Sequence, residues 1–134
     1  MIVENTETME LRAAEDVVRV RQLVRAHAVA SGFSLVDQTK VITAASEIAR
    51  NTIDYGGGGK LVLEDVRAGV RKGIRLVFSD QGPGIPDIQR ALTDGYTTGS
   101  GLGLGLSGAK RLSSEFDIKS APGAGTTVTL IRWK

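Results

Sequence analysis

Glu47 and Asn51 stand four positions apart in the run Glu47-Ile48-Ala49-Arg50-Asn51. On a helix that spacing places both side chains on one face, about one turn apart. A carboxylate there can orient a hydroxyl or a water, and an Asn carbonyl oxygen can ligate a magnesium ion that also holds phosphates, so the pair suits phosphoryl chemistry. An isolated Glu-Asn pair is more often an ordinary exposed helix face. The neighbourhood favours chemistry: Ala44, Ala45, Ile48 and Ile53 make this helix mostly apolar, and the glycine run 56–59 follows directly. Asp54, one turn further along, either supports the metal or ends the helix.

Asp80 closes an apolar strand and opens Gln81-Gly82-Pro83-Gly84-Ile85-Pro86. A carboxylate at a strand end can accept a hydrogen bond from the exocyclic amine of a base, and Gly82 and Gly84 let the backbone approach a flat ring. Taken alone, the same residues make an ordinary Asp-Gly-Pro turn. Further on, Gly101-Leu102-Gly103-Leu104-Gly105 precedes an apolar helix, whose first amides can hold phosphate oxygens. Written as Gly103-x-Gly105-x-x-Gly108, these glycines match a dinucleotide fingerprint. That reading fails, because residues 95–100 are not a strand and only about 30 residues remain for the strand and acid it requires. No Gly-x-x-x-x-Gly-Lys-Ser/Thr pattern is present either.

The single His27 lies near the apolar stripe of the first helix, where a satisfied or partly exposed histidine is the expectation. Without cysteine and with one histidine, neither a thiolate or histidine metal site nor a disulfide framework can be built. The basic residues are spread along the chain at a net charge of +2, without stacking aromatics, which argues against nucleic-acid binding. No window approaches a membrane span, and residues 1–10 carry Glu4, Glu7 and Glu10 in place of a secretory apolar run. A soluble, cytoplasmic protein is expected. At 134 residues, 41% hydrophobic and 24% charged, the chain has the size and composition of one globular domain.

The elements that must position these residues follow from periodicity. Val17, Val20, Val24 and Ala28 predict an amphipathic helix over 14–31, with Arg21 and Arg25 on a solvated side and Gly32 as its stop. Ser34 or Asp37 caps a second helix that carries Glu47 and Asn51. Strands are predicted at 60–67 and 73–79, joined by a turn at 68–72, then a short helix at 87–92 and a polar loop over 93–100. A third helix from near Gly103 to Leu112 leads to strands 116–120 and 126–133, joined by the turn Pro122-Gly123-Ala124-Gly125. With a strand ahead of the first helix, the order strand, helix, helix, strand, strand, helix, strand, strand predicts an α/β two-layer sandwich. Its sheet is mixed or antiparallel, with about three helices on one face.

Taken together and in this order, these segments resemble the Bergerat ATP-binding fold (GHKL) shared by histidine kinases, DNA gyrase, Hsp90 and MutL. The resemblance adds Asp94-Gly95-Tyr96-Thr97-Thr98, Lys110-Arg111-Leu112 and Gly125-Thr126-Thr127 to the motifs above and spans essentially the whole chain. Within that group, the chain is most similar to the small bacterial anti-sigma factors and switch serine/threonine kinases, the stressosome switch kinase above all. The resemblance implies that Glu47 is the general base, that Asn51 binds magnesium, and that Asp80 recognises the adenine amino group with Thr126 beside it. It has Gly82 and Gly84 shape the adenine wall and Gly101, Gly103 and Gly105 meet the phosphates, with Ile85, Leu102 and Leu104 among the implied ATP contacts. Asp54 and Thr97 complete the implied ATP contacts, with residues 95–100 as a lid.

The resemblance also implies ATP and Mg2+ as cofactors. Histidine kinases join this module to a helical domain bearing the phospho-accepting His, for which this chain has no room, so the acceptor is expected on another protein. The implied acceptors are serine or threonine on STAS-domain partners. A PP2C-type phosphatase is implied as the target of the released kinase, and a sigma factor stands as a further possible partner. The alternative is a nucleotide-regulated anti-sigma factor or non-catalytic binding switch. A purely structural reading needs all the motifs to coincide in order by chance.

Overall fold

The computed structural model describes residues 1–92 and 105–134. The elements run β1 (Ile2–Leu11), α1 (Glu15–Ala30), α2 (Leu35–Asp54), β2 (Gly59–Ala68), β3 (Arg71–Asp80), α3 (Ile88–Ala91), α4 (Gly105–Arg111), β4 (Glu115–Ser120) and β5 (Thr126–Trp133). The strands form one five-stranded sheet in the order β1-β2-β3-β5-β4, with every neighbouring pair antiparallel. The α/β expectation is met, with a purely antiparallel sheet and a short α3 beside the three longer helices. The β2–β3 turn is tighter than residues 68–72, because Ala68 already pairs with Arg71.

α1 buries Val17, Val20, Val24 and Ala28, the predicted stripe, and leaves Arg21 and Arg25 exposed. α2 is capped by Ser34, whose hydroxyl accepts from the Asp37 amide at 3.1 Å. Asp37 instead pairs with Arg132 of β5 at 2.6 Å, and that guanidinium holds its carboxyl below the ordinary value. α2 is the central helix: Val41, Ala44, Ala45, Ile48 and Ala49 are buried against Leu61, Leu63, Leu76, Phe78, Val128 and Leu130 of the sheet. The inward residues alternate along β2, β3 and β5, as a sheet with one covered face requires. The small alanines let α2 lie close over the strands, and its buried Ser46 and Thr52 satisfy their hydroxyls on the carbonyls of Ile42 and Ile48.

His27 projects from α1 toward β1 and β2, where its ring meets Glu7 and Asp65. Burial of the imidazole opposes its charge, but the two carboxylates outweigh that effect and raise its pKa above the ordinary value. The histidine is thus a satisfied structural link between helix and sheet.

Candidate active site

α2 delivers Glu47 and Asn51 to one side of a cavity of about 280 Å³. Ile48, one residue after Glu47, supplies apolar wall beside them, and Asp54 reaches the same space from the end of the helix. Glu47 is buried, and its carboxylate pairs with the Arg50 guanidinium at 3.2 Å. An ion pair one turn along the helix fixes the direction in which the carboxylate faces. The glycine run then turns the chain into β2. Gly59 lies where a Cβ would stand 2.0 Å from the Ser79 carbonyl oxygen, so only glycine fits between α2 and the end of β3.

Asp80 is the last residue of β3, directly opposite Thr126, the first residue of β5. Phe78 faces Val128 and Leu76 faces Leu130 along the same ladder. Since alternate residues share a face, Asp80 and Thr126 point to the helix side with this buried row, and both line the cavity. Asp80 Oδ1 accepts from the Gly82 amide at 2.9 Å, which anchors the carboxylate. Gly82 itself is absent from the cavity wall. It packs on Gly56, where a Cβ would come within 2.7 Å of that residue's Cα, and so acts by holding Asp80.

The 81–86 turn and the β4–β5 turn interlock. Gly84 adopts φ 78°, and a Cβ on it would lie 2.0 Å from the Ala121 carbonyl oxygen. Gly125 adopts φ 75°, with a Cβ position 2.2 Å from the Asp80 carbonyl oxygen. The Gly123 amide closes the contact on the Pro83 carbonyl at 2.7 Å. Ile85, positioned by this turn, faces the cavity together with Gly84, Pro83, Phe78, Val128 and Leu106.

The cavity therefore has an apolar body, one end bearing Asp80 and Thr126, and one side bearing Glu47 and Asn51. Apolar surroundings with a few convergent polar groups are what a small ligand with a flat ring and a charged tail requires. Gly105, at the start of α4, also lines it, with φ 45°. Of the residues expected at the site, Glu47, Asn51, Asp54, Asp80, Gly84, Ile85, Gly105 and Thr126 are brought together. Thr97, Gly101, Leu102, Gly103 and Leu104, and with them the expected lid, lie outside the described residues. Arg50, Phe78 and Val128 belong to the wall but were not singled out as site residues from sequence, where Phe78 and Val128 fall within the predicted strands 73–79 and 126–133.

Magnesium carried with nucleotide phosphates needs only one or two protein oxygens. No cluster of three His, Cys, Asp or Glu exists among the described residues, and Asn51 and Asp54 offer oxygens on the wall. This donor set fits a metal held mainly by phosphate and water. No helix among the described residues is long and apolar enough to cross a membrane.

Comparison with known proteins bears on the family and the fold. Residues 36–134 match the family described as histidine kinase-, DNA gyrase B-, and HSP90-like ATPase. The serine/threonine-protein kinase RsbT of Bacillus subtilis is 47% identical over 118 residues, which cover 88% of this chain and 89% of that protein. An anti-sigma F factor of Thermoanaerobacter is 27% identical, over 98% of this chain and 96% of its own length. Among solved structures, the RsbU and RsbW domains of Rv1364c from Mycobacterium tuberculosis superpose with a TM-score of 0.67 at 22% identity. That match covers 98% of this chain and 33% of the solved one, and it supports the fold. The chain belongs to the histidine kinase-, DNA gyrase B- and HSP90-like ATPase family, with a serine/threonine-protein kinase and anti-sigma F factors among its relatives.

Proposed function

We propose that this chain is a magnesium-ATP-dependent protein serine/threonine kinase of a bacterial partner switch, acting in the cytoplasm on STAS-domain partners. The observation that carries the reading is the placement of Glu47 and Asn51 on one side of the cavity that Asp80 and Thr126 close at its end. The adenine amino group meets the Asp80 carboxylate, its ring lies among Phe78, Ile85 and Val128, and the phosphates extend toward Asn51 and Gly105. Bound with the phosphates, magnesium would neutralise charge there, with Asn51, and Asp54 beside it, as its protein oxygens.

Glu47 accepts the proton of the partner's serine or threonine hydroxyl as the oxygen attacks the γ-phosphorus. The bond between that phosphorus and the β–γ bridging oxygen breaks, and ADP leaves. Arg50 keeps the Glu47 carboxylate aimed through the 3.2 Å pair. The kinase similarity of the 47% identical relative supports the transfer reaction. The acceptor stands on a second protein, and release of the kinase frees it to activate a PP2C-type phosphatase. The anti-sigma F factor relatives support a second reading, a nucleotide-regulated binder of a sigma factor.

The two are separated by incubating the chain with γ-labelled ATP and a STAS-domain protein, with and without magnesium. Magnesium-dependent label on serine or threonine of the partner is the expected result. ATP binding without transfer or hydrolysis leaves the binding switch.

A further inference from the structure

Ser120 ends β4 directly opposite Thr126, so Asp80, Thr126 and Ser120 form one row across β3, β5 and β4. The Ser120 hydroxyl oxygen has three neighbours: the Ile85 amide at 2.7 Å, the Gly125 carbonyl oxygen at 3.0 Å and Thr126 Oγ1 at 2.8 Å. A hydroxyl offers one proton and two lone pairs. The Ile85 N–H can only donate and takes one lone pair, while the Gly125 carbonyl can only accept and takes the proton. The lone pair that remains meets Thr126, so the one arrangement that satisfies all three contacts at once has Thr126 as the donor between the two hydroxyls. Its proton is then spent on Ser120, and the Thr126 oxygen turns only lone pairs toward the cavity. Beside it the Asp80 carboxylate also only accepts.

We propose that Ser120 is a positioning residue for base specificity: by consuming the Thr126 proton it makes the Asp80–Thr126 end of the cavity acceptor-only. That end then takes a purine bearing a 6-amino group and rejects one bearing a 6-oxo group. Ser120 is not on the cavity wall, so it acts on the base through Thr126. The inference rests on the placement of adenine in the proposed function. An end whose polar groups all accept loses a partner and gains a repulsion at the 6-position when the ligand's 6-amino donor becomes a 6-oxo acceptor.

Dissociation constants for ATP and for inosine triphosphate, whose purine carries the 6-oxo group, test it in the wild type, Ser120→Ala and Ser120→Thr. The wild type prefers ATP. In Ser120→Ala the freed Thr126 proton can turn to the 6-oxo group, and the preference for ATP narrows by about three- to tenfold, the scale of one hydrogen bond. Ser120→Thr restores the hydroxyl and the wild-type ratio. A serine that only pins the Ile85 turn would weaken both nucleotides equally, and an unchanged ratio in Ser120→Ala overturns the proposal while leaving ATP binding intact. Should Ser120→Ala fail to fold, Thr126→Val, which removes the accepting oxygen, must narrow the ratio as well, and an unchanged ratio there overturns it equally. A wild type that does not bind ATP overturns the placement of adenine, and this inference with it.

Discussion

Asp80 and Thr126 are direct cross-strand partners at the ends of β3 and β5, one register step beyond Ser79 and Thr127 and two beyond the buried pair Phe78 and Val128. The recognition end of the cavity is therefore a continuation of the hydrophobic core's own ladder. Asp80→Asn keeps the shape and the turn but removes the charge that the base amine meets. It should weaken ATP binding by about 10- to 150-fold, from the ~1.5–3 kcal/mol of a hydrogen bond to a charged group. Isothermal titration calorimetry measures this, and an unchanged affinity would remove Asp80 from the site.

The interlocked turns predict a sharp contrast between glycines. Gly125 and Gly57 both adopt positive φ, 75° and 73°, but a Cβ on Gly125 meets the Asp80 carbonyl oxygen at 2.2 Å whereas one on Gly57 meets nothing within 4 Å. Gly57→Ala carries backbone strain alone, about 1 kcal/mol. Gly125→Ala adds the clash and should cost about 2 kcal/mol or more in urea unfolding, with a loss of ATP affinity because Asp80 must shift. Equal losses for the two variants would contradict the interlock.

The helix that carries Glu47 begins at a single cap. Ser34→Ala leaves the Asp37 amide without its 3.1 Å partner and should lower stability by about 1 kcal/mol. Ser34→Asp, which offers an oxygen at the same place, should restore it. Chemical denaturation of both variants checks the assignment, and a neutral Ser34→Ala would show that Asp37 or another group carries the cap.

His27 predicts a pH dependence of defined sign. Its folded pKa is raised above the ordinary 6.5, because Glu7 and Asp65 outweigh the opposing burial, so the folded state binds the proton more tightly than the unfolded one. The stabilisation is complete below 6.5 and is lost as pH rises through the raised folded value. Thermal unfolding from pH 6 upward should show this decline in the wild type and not in His27→Gln, about the ~6.5 reference. Parallel curves for the two would rule out the linkage.

The parts of the site that lie within one element could be read from the chain. The four-residue spacing of Glu47 and Asn51 needs only a helix to become a shared face, and the structure supplies that helix. Asp80 and the glycines after it could be read as a turn, but the partner of Asp80 could not, because strand pairing joins residues distant in sequence and no local pattern encodes register. Ser120 was invisible for the same reason: a lone serine at a strand end has no motif, and its neighbours Ile85, Gly125 and Thr126 are assembled by two turns and a ladder. Gly82 illustrates the reverse. Its place in a turn was legible, but its packing on Gly56 moved it from the wall of the cavity to the support of Asp80.

The central claim is that Glu47 takes the hydroxyl proton during phosphoryl transfer, and Glu47→Gln tests it with the least change of shape. ATP affinity is measured by calorimetry, and single-turnover transfer of the γ-phosphoryl group to a STAS-domain partner is measured on the same preparation. The account predicts ATP binding within about threefold of the wild type and transfer slowed by about 100-fold or more, the scale of general-base catalysis. Transfer at the wild-type rate by a Glu47→Gln protein that binds ATP normally would contradict it.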